Sequence, residues 1–405
     1  MKFGYFANIH DSTKKRDYSE MIAEMREIAV FLDDAGFDVF WIPEHHFSVW
    51  GRELLGNPLL MAADIAARTK RIRIGLGAAI ITFWHPLRLA EDLALLDHLT
   101  GGRLEIGVGR GNYGLEASNL NPLADPNNLT MNLKVFHETL EVVRKALSED
   151  RFSHKGELFQ FPAPGFRADR AHSVDDPEYT DANTGELVKL TTFPRPKQRP
   201  MPPMWQMNSE AIEGVKAAAE KNMGIVMWRA SQKTIKMRLD LYKETYEATY
   251  GRKIALGAQT AIMRDTFVAE SEAEARKIAE EACMEALNFA NWRGPRVFMD
   301  PGEQIAPETE AALKKKLTYD FVAERALFFG SSDDVAAKIE HLHRETNIEQ
   351  VMFKCSWPGL PHKYTMQCLK RIADQVIPRL RQRPSEEAKP QSHGHVMAAV
   401  PAPSH

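Results

Sequence analysis

The chain has 405 residues, 44% of them hydrophobic and 26% charged, with a formal net charge of −3 and a pI near 6.6. That balance suits a folded globular protein with a sizeable core, and its scattered Lys and Arg give no phosphate-backbone footprint, so nucleic acid is excluded as a partner class. The three cysteines, Cys283, Cys355 and Cys368, lack C-x-x-C spacing, so neither a disulfide framework nor a zinc knuckle is expected and the compartment reads as reducing.

From Met1 the chain enters an apolar run at once, with no basic region and signal-like segment, so a cytoplasmic location is expected. Lys2 to Ala7 predicts a strand. A helix over about Tyr18 to Ala35 follows, because Tyr18, Met21, Ile22, Met25, Ile28, Ala29 and Leu32 recur at the spacing of one helical face, and Gly36 stops it. A strand over Phe37 to Pro43, a helix near Pro58 to Thr69 and a strand over Arg71 to Ala79 continue the rhythm. The most apolar stretch, Gly75 to Trp84, is ten residues long, short of the roughly 20 that cross a bilayer, and no membrane association is expected. Further strands are predicted at Arg103 to Gly109, Pro203 to Met207, Gly224 to Met227, about Thr260 to Val268, and Glu349 to Cys355. Eight strands alternating with helices predict an α/β fold, a TIM (β/α)8 barrel with insertions; an open doubly wound sheet has the same rhythm, since periodicity does not fix strand order.

Two segments interrupt the alternation. Residues 161–203 are rich in proline and include the polar run Asp175 to Asp181, which reads as a surface insertion. Residues 291–325 read either as a lid over the barrel mouth or as a solvated helical excursion. The barrel domain is expected to span residues 1–383, and 384–405, with His393 and His395, to be a disordered low-complexity tail.

Three strand ends carry candidate chemistry. Glu44-His45-His46 follows the second strand at what would be the C-terminal mouth of a barrel, where active sites sit. Adjacent residues on an extended segment point to opposite sides and no Cys/His cluster completes a set, so no metal site is expected; His45 could act as a general base or only bond the loop. Gly109-Arg110-Gly111-Asn112-Tyr113-Gly114 has G-x-G-x-x-G spacing. It leads into Asn119-Leu120-Asn121-Pro122, read as a loop with a helix beginning only near Thr130, which departs from the dinucleotide fingerprint. The Arg110 guanidinium beside exposed backbone N–H groups suits one phosphate, or the segment is a structural turn. At the end of Met204 to Met207, Asn208 or Ser209 would cap the next helix, whose start could hold an anion. No G-x-S-x-G elbow or P-loop occurs.

Taken in order, these segments resemble a known family. Asp34-Ala35-Gly36-Phe37-Asp38 with Trp41 and Glu44-His45-His46-Phe47, Gly56-Asn57-Pro58, Arg68 to Ile72, His85-Pro86 with Ala90-Glu91-Asp92, and Gly102-Arg103 with Gly109-Arg110-Gly111 look like the bacterial luciferase-like monooxygenases. Pro194 to Gln198, Pro202 to Trp205, Gly330 to Val335 and Pro358 to Pro361 extend the resemblance to about residue 382. It implies a TIM barrel that takes reduced FMN (FMNH2) from a separate NAD(P)H-flavin reductase and uses O2, through a flavin hydroperoxide, to oxygenate a small hydrophobic substrate, as a homodimer. The resemblance assigns catalysis to His45 and the cofactor phosphate to Arg110, with Gly111, and to the helix start Met207, Asn208, Ser209, Glu210 and Ala211. It aligns Ala78-Ala79 with a non-proline cis peptide behind the flavin and sets Trp228 along the flavin pocket. At Gly109 the chain departs from the luciferases proper, whose catalytic subunit has a reactive cysteine there, so neither light emission nor an aldehyde substrate is implied. An F420-dependent oxidoreductase of the same fold, or a non-catalytic flavin-binding partner subunit, is the alternative reading.

Overall fold

The computed structural model describes residues 1–167, 177–207 and 211–382. The tail expected to be disordered and part of the polar run before Pro194 lie outside them, as do Asn208, Ser209 and Glu210. Eight parallel strands form the barrel: β1 (Lys2–Phe6), β2 (Val39–Ile42), β3 (Arg73–Ile80), β4 (Leu104–Gly109), β5 (Met204–Met207), β6 (Gly224–Trp228), β7 (Thr260–Val268) and β8 (Gln350–Lys354). Their hydrogen-bonded order follows the chain, β6 pairs with β7, and β8 returns to β1 with Tyr5 opposite Phe353, so the sheet closes. The eight predicted strands are these eight. A further strand, Leu327–Gly330, pairs with the second half of β7, beyond the stretch that pairs with β6.

Contacts divide the chain into two compact units. One comprises Met1–Ala78, Glu105–Gly107 and Pro203–Ser385, and holds six of the eight strands whole with part of β3 and β4. The other comprises Ala79–Leu104 and Val108–Pro202, with the helices Pro86–Leu99, Gly114–Leu120 and Leu129–Ser148 and the hairpin of His154–Lys155 with Gln160–Phe161.

Local sequence accounts for the helices between strands. The first, Tyr18–Asp34, is capped by the Asp17 carboxylate accepting from the Ser19 amide, buries Met21, Met25, Ile28 and Leu32, and is followed by Gly36 at φ +77°. Asp33, at its end, accepts from the amides of Lys70, Arg71 and Ile72 at 2.8, 2.8 and 2.6 Å, which ties the helix to the approach of β3. One expectation changes. The glycines after β4 open directly into a short helix, Gly114–Leu120, because Asn121 and Pro122 stop it only after seven residues. The helix after β5 runs from Ile212 to Glu220 with Ala211 at its N-cap and no side-chain cap bond, and the capping role expected of Asn208 or Ser209 falls on residues outside those described. Residues 291–325 form two 3-10 turns and two helices, Pro307–Lys315 and Tyr319–Ala326, that bury Phe298, Leu313, Tyr319 and Val322.

Alternation along each strand sends every second side chain into the barrel. Phe6, Val39, Trp41, Trp205, Val226, Ala261, Met263 and Met352 form one buried cluster, with Met207 and Trp228 packed on it. The indoles of Trp41 and Trp205 meet edge to face, 5.8 Å between centroids. Two such rings fit only because their neighbours are glycines: a Cβ at Gly75 would stand 2.4 Å from the Trp41 ring and one at Gly224 2.3 Å from the Trp205 ring. Gly75→Ala is therefore expected to cost about 1–3 kcal/mol, the range for overpacking. The urea midpoint should fall, and shrinking the facing ring in Trp41→Leu/Gly75→Ala should recover part of the loss. An unchanged midpoint in the single variant would mean that the indole yields freely.

Candidate active site

At the C-terminal end of the barrel, one stretch of chain joins two histidines. Residues 51–55 are zipped to the segment after β1 by Asp11 N–H to Gly51 O (2.7 Å) and Leu54 N–H to Ile9 O (2.9 Å), and to the segment after β2 by His45 N–H to Leu55 O (2.9 Å). Gly51 permits this, since at φ +71° its Cβ would stand 1.9 Å from the Asp11 carbonyl. Glu53 then serves both rings. Its amide donates to His10 Nδ1 at 3.2 Å, and its carboxylate lies 3.8 Å from His45 Nε2. His46 turns the other way, onto the buried Glu44 carboxylate at 2.9 Å. The two adjacent histidines are thus split between different carboxylates, as extended backbone requires.

Burial drives the His10 imidazole down to about 3, and the charges of Lys354, His45 and Arg52 act the same way against Glu53. The ring is neutral near pH 7. Because Nδ1 accepts the Glu53 amide, the proton sits on Nε2, a buried atom with no partner among the described residues.

Three adjacent strands complete the mouth. The inward series Val226 and Trp228 on β6, Met263 and Asp265 on β7, and Met352 and Lys354 on β8 brings Trp228, Asp265 and Lys354 together above the core. Asp265 Oδ2 accepts from Trp228 Nε1 at 2.9 Å and Oδ1 from Trp357 Nε1 at 2.8 Å. The Lys354 ammonium lies 3.4 Å from Oδ1 and 4.8 Å from the centroid of the Trp228 ring. The Arg229 guanidinium stands 3.5 Å from the same ring centroid, with Nη1 bonded to Ala290 O at 2.9 Å. Burial opposes ionisation of Asp265, but the Lys354 charge, the two indole bonds and Arg229 outweigh it and hold the carboxyl below its usual value.

In the second unit, Arg110 Nη1 donates to Asn132 Oδ1 at 2.7 Å, and the Arg110 carbonyl accepts from Asn132 Nδ2 at 3.1 Å and Thr82 Oγ1 at 3.2 Å. Asn132 is fully buried, and its amide also donates to Ala124 O at 2.7 Å. An amide acceptor fixes the guanidinium without itself cancelling the charge. Gly111, at φ +82°, presses on Phe83, where a Cβ would stand 2.9 Å from Cζ.

Of the residues singled out in the sequence, the barrel unit holds His45, Ala78, Met207, Ala211 and Trp228, and the second unit holds Ala79, Arg110 and Gly111. Met207 and Trp228 meet on one cluster. The non-proline cis peptide is Gly77–Ala78, one residue earlier than the expected Ala78–Ala79, at the point where β3 has a glycine against the Trp41 side chain. Among the described residues no group of three or more His, Cys, Asp or Glu side chains is arranged to hold a metal. No helix among them is long and apolar enough to cross a membrane. Sequence reasoning missed His10, Glu53, Asp265, Lys354 and Trp357. Strand parity would have found two of them, because Asp265 and Lys354 stand in the inward register of Met263 and Met352.

A model of the family described as luciferase-like monooxygenase matches residues 1–191 and 176–348. The oxygenase component of a flavin-dependent trigonelline monooxygenase from Acinetobacter baylyi is 25% identical over 293 residues, 72% of each chain. 2,5-Diketocamphane 1,2-monooxygenase 1 from Pseudomonas putida is 24% identical over 401 residues, 94% of this chain and 99% of that one. Among solved structures, the oxygenating constituent of 3,6-diketocamphane monooxygenase from Pseudomonas putida, a type II Baeyer-Villiger monooxygenase in complex with FMN, matches with a TM-score of 0.73 at 22% identity over 94% of this chain and 98% of that one. An F420-dependent secondary alcohol dehydrogenase in complex with an F420-acetone adduct matches with 0.63 at 16%, over 94% and 99%. At those identities the structures speak to the fold.

Proposed function

The chain belongs to the luciferase-like monooxygenase family, and from that premise we propose that it is the oxygenase component of a two-component, FMN-dependent monooxygenase. In this reading a separate NAD(P)H-flavin reductase supplies reduced FMN, and the substrate is a small organic molecule. The similarity to the oxygenase component of the flavin-dependent trigonelline monooxygenase and to 2,5-diketocamphane 1,2-monooxygenase 1, each matched along most of its length, supports it.

The observation that supports a phosphorylated cofactor best is the Arg110 cradle. Asn132 orients the guanidinium, Thr82 and Asn132 pin its backbone, and Gly111 lets the chain turn there. Arg110 would hold the phosphate; the helix start that the family resemblance also assigns to it, Asn208 to Ala211, lies mostly outside the described residues. By the resemblance Ala78 and Ala79 would lie beside the ring, and Met207 and Trp228, which pack on one cluster, would supply an apolar wall. Reduced flavin, when bound, supplies the electrons with which O2 is activated. His45, with the Glu53 carboxylate 3.8 Å away, holds or moves a proton at Nε2.

Arg110→Ala is expected to weaken FMNH2 binding by about 1.5–3 kcal/mol, or roughly 10- to 150-fold in Kd, the scale of a charge-assisted hydrogen bond. Anaerobic titration reads this directly, and unchanged affinity would remove Arg110 from the phosphate site. The function itself is tested by offering FMNH2 and reduced F420 in parallel. Tight binding of FMNH2 with O2 consumption supports the proposal, whereas binding of F420 alone, with no O2 consumed, would transfer the chain to the dehydrogenases of this fold.

A further inference from the structure

Two hydrogen-bond donors at the ends of neighbouring strands have no hydrogen-bond acceptor among the described residues. Lys354 ends β8, and its side chain is only one-tenth exposed. Its counter-ion Asp265 has each carboxylate oxygen taken by an indole N–H at 2.8 and 2.9 Å, while the ammonium stands off at 3.4 Å. The charge of Lys354 is therefore balanced, but its N–H groups are not used. His10 follows β1, the strand paired with β8, and its proton is fixed on the buried Nε2 by the bond that Nδ1 accepts from Glu53. A buried donor without an acceptor, as His10 Nε2 is, costs free energy, and such a cost persists most readily where a ligand removes it.

We propose that Lys354 and His10 together form a two-donor subsite for a carboxylate on the substrate, an inference that rests on the monooxygenase reading of this barrel. One charged and one neutral donor suit an anionic oxygen pair better than a lone carbonyl, because hydrogen bonds to a carboxylate are the stronger kind. The surroundings favour an apolar body on the acid: Phe6, Met207, Trp228 and Trp357 stand at this end of the barrel. Asp265 acts here as a positioning residue, holding the ammonium and both indoles.

The test uses the full chain loaded with FMN and compares acids with their neutral twins: benzoate against benzamide, and phenylacetate against phenylacetamide, by calorimetry at constant ionic strength. At least one acid should bind about 10-fold or more tightly than its amide, the preference of a charge-assisted bond. It should collapse in Lys354→Met and shrink in His10→Leu, with FMN affinity unchanged in both. Lys354→Arg, which keeps a cation against Asp265, should retain it and guards against misfolding of the methionine variant. Equal binding of acid and amide, including no binding of either, would overturn the proposal without any variant. So would a preference that survives Lys354→Met, or a loss of FMN affinity in that variant, which would give the donors to the cofactor. Failure of the wild type to take up FMN would instead refute the monooxygenase reading, and is read in a separate titration.

Discussion

His45→Ala is expected to lower turnover by about 10²- to 10⁴-fold, the usual worth of general acid or base assistance, while flavin affinity and folding change little. The expectation rests on where the ring stands. His45 lies three residues past the end of β2, its backbone is fixed by Leu55, and Nε2 faces the Glu53 carboxylate rather than the buried Glu44 that engages His46. Its side chain is one-fifth exposed, so a substrate can reach it. The measurement pairs a thermal melt with product formation from FMNH2, O2 and an accepted substrate. Early melting with loss of flavin would identify a structural histidine. Normal turnover would take the proton-transfer role away from His45. Glu53→Gln separates the partners: it should reduce turnover less than His45→Ala and shift the pH profile, because it alters the field at Nε2 without removing the ring.

The largest expected effect on stability belongs to Asp265. Replacing it by Ala strips two indole N–H groups of their acceptor and leaves the Lys354 ammonium without its counter-ion. Breaking a buried pair from one side typically costs about 3–5 kcal/mol. The midpoint of urea denaturation should fall accordingly, and Asp265→Ala/Lys354→Met should recover much of the loss, because the second change removes the stranded charge. A single variant as stable as wild type would mean that water reaches the ammonium and replaces the carboxylate. The direction with pH follows from the depressed ionisation of Asp265. A carboxyl held below its unfolded value contributes stability that is fully present above that unfolded value and is lost as pH falls through the folded one. Asp265→Asn should therefore be less stable than wild type at neutral pH, and the gap should narrow in acid.

Much of the fold was legible because the barrel repeats one pattern. Each strand is a short apolar run bounded by polar residues, and all eight predicted strands are found, with ends differing by one or two residues. Closure was not legible from periodicity, since strand order depends on which edges pair. The misreadings were local. Asn121-Pro122 signalled a loop, yet seven residues before it were free to coil. At the candidate site, His45, Arg110 and Trp228 were singled out because each stands at or just past the end of a strand. His10 and Glu53 were missed because their meeting depends on the 51–55 segment folding back beside β1, a contact 43 residues apart in sequence. Asp265 and Lys354 were visible to parity and were passed over because each strand was read as a uniform apolar run.

The glycines that face Trp41 and Trp205 bear on how this barrel can drift over evolutionary time. Volume at these positions behaves as a shared quantity between neighbouring strands: an indole on β2 obliges a bare backbone on β3, and one on β5 obliges it on β6. A lineage that gains a side chain at position 75 must first, or at once, lose ring volume at position 41, since the intermediate holding both is the least stable of the four combinations. Substitutions there should accordingly travel in pairs, and the order in which they arise is constrained: the ring shrinks before the glycine fills.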